Sequence, residues 1–238
     1  MNYLKKLTKS LKIIIITTTL PYILAVISAY IYTKITNYSI NNFINKYLIY
    51  LTIILYIITI IYLSKKYKLK IKNTAIINYY KYLSLGISIS CILNMVIYIL
   101  NKPNLAKYNI NFFIILISSG IIGPIYEEVI FRYIFYNKLK TFNSPTKAII
   151  INTIIFSLIH INFIKIIYAF ILGLLITITY EKKENILYPI LIHIGANTIS
   201  LFLTNYSKEI LIISLVLFII SINVDKTYHS WQIYLYII

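Results

Sequence analysis

Acidic side chains are scarce in this chain, six against 23 lysines and arginines. Cysteine is scarcer still: Cys91 stands alone, which excludes an internal disulfide and any cysteine-based metal cluster and leaves the redox compartment unreadable. Five glycines and five prolines make no Gly/Ser-rich tract or domain-sized linker, and no internal repeat is evident. Arginine occurs once, as Arg132 among 22 lysines, so a guanidinium is needed there for something an ammonium does not do. Polar faces are missing as well. Stretches such as LIYLTIILYIITIIYL do not alternate apolar and polar residues at helical spacing, which excludes a soluble all-α bundle.

What fills the chain is apolar: 60% of its 238 residues are hydrophobic. A membrane span needs about 20 mostly apolar residues, and such segments fall at 12–33, 47–64, 79–100, 112–137, 147–163, 164–180, 185–205 and 208–223. The fold class expected is therefore all-α, a polytopic integral membrane protein with a bundle of about eight transmembrane helices. The organisation expected is a three-helix membrane region over 1–111, a core over 112–205, and a last helix with a cytoplasmic or interfacial tail over 206–238. The N-terminus mimics a signal peptide, but its apolar run is long enough to span, so it reads as a retained first helix.

With the N-terminus inside, 17 of the 23 basic residues fall on the cytoplasmic side. This is the positive-inside bias, and it places both termini in the cytoplasm of a multi-pass cell-membrane protein. The net charge of +17 is then explained by loops facing anionic lipid, with no nucleic acid needed as a partner. The tyrosine-rich stretches and Trp231 read as core and interfacial residues.

Ionisable groups inside spans are costly and are functional candidates by default. The fourth span holds Glu127, Glu128 and Arg132, the fifth His160, the seventh His193 and Asn197. Glu128 and Arg132 are four apart and read as a structural ion pair. Glu127, rotated by about 100° on an α-helix, is expected to face elsewhere and stay free. Phe156 and His160, and likewise His193 and Asn197, share helical faces. Counted from the cytoplasmic ends at Lys138, Lys147 and Glu184, residues Glu127, His160 and His193 lie 11, 13 and 9 positions deep, or about 16, 20 and 14 Å at about 1.5 Å per residue. They form nearly one layer and are expected to converge on one intramembrane cavity.

A carboxylate and an imidazole around one water can make it a nucleophile, and a second imidazole with a carboxamide can hold an oxyanion. On that scheme Glu127 is the general base, His160 positions or shares the proton, and His193 with Asn197 stabilises the tetrahedral intermediate. No cofactor is expected. The alternative places Zn²⁺ on Glu127, His160 and His193 as a His₂Glu set, although no HExxH motif is present. No GxSxG supports a serine mechanism.

The run Glu127-Glu128-Val-Ile-Phe-Arg132 resembles the EExxxR motif of the CAAX prenyl protease and bacteriocin-processing family of intramembrane proteases, the Abi family. Phe156 and His160 resemble its FxxxH motif, and His193 and Asn197 its HxxxN motif. Pro124, Gly173 and the approach NILYPILIH match as flanks, and the resemblance covers roughly 112–205. It implies an eight-helix endopeptidase of the glutamate type, often labelled a metalloprotease. Glu127, His160, His193 and Asn197 would be catalytic, with Glu128, Arg132 and Phe156 in support. The partners implied are the lipid bilayer and a peptide or protein substrate, lipidated or not, with bacteriocin processing or self-immunity as the route favoured by a bacterial-looking composition. A non-catalytic immunity protein using the same cavity is the alternative. One departure is Tyr133, where the family usually has glycine, and a ring there is expected to narrow the cavity or alter the packing of the fourth helix.

Overall fold

The protein is described by a computed structural model covering residues 3–36, 40–101, 111–203 and 207–237. These form eight helices and no strand: α1 Tyr3–Thr36, α2 Ile40–Lys66, α3 Ile76–Asn101, α4 Phe112–Lys140, α5 Pro145–Leu158, α6 Phe163–Lys183, α7 Leu187–Phe202 and α8 Lys208–Ile237. Five of them, α1 to α4 and α6, contain stretches long and apolar enough to cross a membrane. Large apolar side chains such as Ile15, Ile23, Ile54, Ile58, Ile212 and Ile219 are exposed on α1, α2 and α8, where lipid rather than protein satisfies them. The chain is a multi-pass, all-α membrane protein.

Two expected spans come out shorter. The run 147–163 is helical only to Leu158, and 185–205 only over Leu187–Phe202. At 14 and 16 residues they reach about 21 and 24 Å, less than the roughly 30 Å hydrocarbon core. Both α5 and the break that follows it keep an exposed apolar side, with Ile150, Ile154, Leu158, Ile161 and Phe163 open to the surroundings. The tail from Val224 onward continues the backbone of α8 to Ile237; the side chain of Trp231 lies outside the described residues.

Helix α4 is the axis of the core, with Ile130, Phe131, Phe135, Tyr136 and Leu139 buried on it. Its winding follows from its sequence. Pro124 has no N–H to give, and the Gly123 N–H bonds the Ser118 carbonyl, five residues back. The Ser119 carbonyl is thereby left without a helical donor. Leu116–Ile122 widens into a π-helix, Gly123–Glu128 returns to α, and Val129–Tyr136 widens again; such turns concentrate at functional sites. Helix α7 takes up the released carbonyls, Asn197 Nδ2 donating to Ser119 O at 3.0 Å and Thr198 Oγ1 to Gly120 O at 3.4 Å.

Helices α3 and α7 approach closely because both carry glycine at the contact. A Cβ on Gly86 would stand 1.9 Å from Ile192 O, and one on Gly195 would stand 2.3 Å from Leu83 O. Small residues at membrane helix crossings permit this distance, where packing and hydrogen bonds replace the hydrophobic effect as the driving force.

Candidate active site

The two adjacent glutamates of α4 have different surroundings. Glu128 is fully buried, and its Oε1 accepts from Arg132 Nη1 at 2.8 Å and from His193 Nδ1 at 2.7 Å. The expected ion pair is present even though it crosses into a π-helical turn. The bond to His193 had no signal in the spacing, since it joins residues 65 apart. Glu127 Oε2 lies 3.8 Å from His193 Nε2, beyond hydrogen-bond reach, and has no hydrogen-bond partner. Both carboxylates thus address one imidazole from its two nitrogens.

Arg132 explains the lone arginine. Its guanidinium is fully buried, donates Nη2 to Gly173 O at 3.3 Å, and stacks 4.1 Å from the centre of the Phe156 ring. A planar cation does all three at once; an ammonium cannot. Gly173 is the space for this stack, because a Cβ there would stand 2.8 Å from Phe156 Cδ1 and 3.3 Å from Arg132 Nη2. Phe156 also meets His160 edge-on at 5.3 Å and His193 at 5.9 Å. One ring therefore locates the guanidinium and both histidines.

His160 is placed differently from expectation. Helix α5 ends at Leu158, and His160 sits in the turn beyond it, not on a helical face. The turn closes through the Ile161 backbone at φ 58° and through Asn162, whose Oδ1 caps α6 by accepting the Ile164 and Lys165 N–H groups at 3.1 and 3.2 Å. His160 Nδ1 lies 3.1 Å from the Phe156 carbonyl. The ring therefore donates Nδ1–H to that carbonyl, which leaves Nε2 as the nitrogen available to the cavity. Non-helical backbone at membrane depth is tolerated where it lines a water-filled cavity.

That cavity measures about 480 Å³ and is lined by Glu127, His160, His193 and Asn197 together with Phe156. The four expected residues thus come together. Glu127 and Asn197 also border a second space of about 370 Å³, walled by Leu48, Thr52 and Tyr56 of α2 and Ser119 of α4. Tyr133 does not narrow either space: its hydroxyl donates to Lys68 O at 2.9 Å, tying α4 to the α2–α3 connection. Among the described residues, no three His, Cys, Asp or Glu side chains gather as a metal-ligand set. Glu127, His160 and His193 share the cavity, with Glu127 Oε2 3.8 Å from His193 Nε2.

Comparison with known proteins bears on the same segment. Residues 109–199 match the family model of type II CAAX prenyl endopeptidase, Rce1-like. A Bacillus subtilis (strain 168) protein named "Putative membrane peptidase YdiL" is 31% identical over 85 residues, which covers 36% of this chain and 35% of the relative. The chain therefore spans about a third of the curated relative it matches. No solved structure matches significantly. The segment that supplies Glu127, His160, His193 and Asn197 is therefore similar to type II CAAX prenyl endopeptidases of the Rce1-like kind.

Proposed function

We propose that the protein is a CAAX-protease-like intramembrane endopeptidase that hydrolyses a peptide bond of a membrane-associated peptide or protein, with both termini in the cytoplasm. The observation that carries this reading is the contrast within the glutamate pair. Glu128 spends its charge on Arg132 and His193, whereas the Glu127 carboxylate has no hydrogen bond among the described residues and lines a cavity that His160 and His193 also line.

The steps use this chain's residues alone. Glu127 accepts one proton of a water whose second hydrogen is held by His160 Nε2, and the oxygen attacks the scissile carbonyl carbon. The developing oxyanion accepts from His193 Nε2–H and from the second N–H of Asn197 Nδ2, the first being held by Ser119. Glu128 fixes the His193 ring and offsets its charge in the protonated form, so Nε2 is the atom presented to the cavity. As the C–N bond breaks, Glu127 returns its proton to the leaving amine. A carboxylic acid and an amine result, and Glu127 is again a carboxylate.

The test is cleavage of a peptide panel by detergent-purified protein, wild type against Glu127→Gln and His160→Ala, each with and without a strong zinc chelator. Loss of cleavage in both variants with indifference to the chelator is expected. Variants that cut as well as wild type overturn the assignment, and loss on chelation overturns the metal-free steps. A panel left intact by wild type but bound equally by the Gln variant points to the immunity-type binder.

A further inference from the structure

Beyond the reacting groups, the same cavity has a polar end built by α3, α6 and α7 and lined by Asn94, Tyr168 and Ser200. Ser90 and Ser200 hydroxyls each lie 2.9 Å from the Ala196 carbonyl and 2.8 Å from one another, so their two protons are divided between that carbonyl and the Ser90–Ser200 contact. A hydroxyl has one proton to give, so both oxygens are acceptors. Asn94 Nδ2 fills them, at 3.1 Å to Ser90 and 2.9 Å to Ser200, and the Tyr168 hydroxyl donates to Ser90 at 2.8 Å. Both amide hydrogens of Asn94 are spent, and the network fixes which end of the carboxamide is oxygen. No hydrogen bond to that oxygen is present among the described residues, and Asn94 is half-buried on the cavity wall. It is an oriented acceptor on the wall of a membrane cavity.

We propose that Asn94 Oδ1 accepts a backbone N–H of the substrate peptide, an inference that rests on the endopeptidase reading. An extended peptide drawn into an apolar site brings N–H groups that cost free energy unless they find acceptors. The distance fits. His193, Asn197 and Ser200 share a face of α7, and the seven positions from His193 to Ser200 advance about 10 Å at about 1.5 Å each. An extended chain covers that in about three residues at about 3.3–3.6 Å each. The amide read by Asn94 therefore belongs to a residue about three positions from the scissile bond. Asn94 lies outside the matched segment 109–199, on the helix that Gly86 and Gly195 hold against α7, so the N-terminal helices contribute to substrate selection.

The experiment measures binding, which does not depend on turnover. Glu127→Gln protein in detergent is titrated into a fluorescein-labelled leucine- and alanine-rich peptide and into its analogues, each methylated at one backbone nitrogen. One methylation should weaken binding about tenfold, the equivalent of about 1.4 kcal/mol. Adding Asn94→Leu should weaken the parent peptide by the same factor and abolish sensitivity to that methylation. The proposal is overturned if no single methylation matters in the Asn94 protein, a result that needs no second variant to fold, or if the sensitive position stays sensitive in Asn94→Leu. Should the methylation pattern hold while wild type leaves these peptides uncut, the endopeptidase reading falls and the subsite stands.

Discussion

The packed side of α4 and its cavity side present the same side chain in opposite states. On the packed side the Glu128 carboxylate is enclosed by Arg132, His193 and the Phe156 stack and has no exposure. On the cavity side Glu127, one residue earlier, makes no hydrogen bond among the described residues and faces a histidine across 3.8 Å; each glutamate has an Oε2 without a partner, so the contrast lies in the two bonds to Glu128 Oε1. Burial of a charge is tolerated when the charge is paired, and an unpaired carboxylate is retained where it has work to do. On the proposed reading, one glutamate holds the site together so that the other can react.

Changes that attack one side only should separate activity from stability. The largest effect is expected from Glu127→Gln, which removes the base without disturbing a hydrogen bond and should lower kcat about 10²–10⁴-fold while leaving the melting temperature in place. Arg132→Met leaves the buried Glu128 charge with His193 as its remaining partner; a loss of about 3–5 kcal/mol is expected in thermal unfolding, and activity should fall with the folded fraction. Gly173→Ala pushes a methyl against Phe156 and should cost about 1–3 kcal/mol by overpacking. Because Phe156 also locates both histidines, its kcat should drop at temperatures where the protein is still folded. Tyr133→Phe deletes the bond to the α2–α3 connection, remote from the cavity; about 1 kcal/mol of stability and no change in kcat are expected.

Local spacing made part of this contrast legible. The four-residue separation of Glu128 and Arg132 gave their pair, the common depth gave the cavity, and a lone arginine among lysines marked the guanidinium stack. What spacing cannot carry is a bond between distant helices, so the Glu128–His193 contact was invisible. The end of α5 was also hidden, because Ile159-His160-Ile161-Asn162 contains neither glycine nor proline and places a β-branched residue at positive φ. The π-helical turns of α4 were readable in principle from Gly123-Pro124, whose missing donor frees the carbonyl that Asn197 takes. The Asn94 network had a faint signal too: Gly86, Ser90 and Asn94 form a small and polar stripe at intervals of four on α3.

The most direct test of the contrast is a paired measurement on Glu127→Gln and Glu128→Gln, kcat for peptide cleavage and melting temperature on the same preparations. Glu127→Gln should abolish cleavage at an unchanged melting temperature, and Glu128→Gln should lower the melting temperature. A Glu127→Gln protein that still cleaves, or one that melts early while Glu128→Gln does not, would contradict the division of labour between the two glutamates.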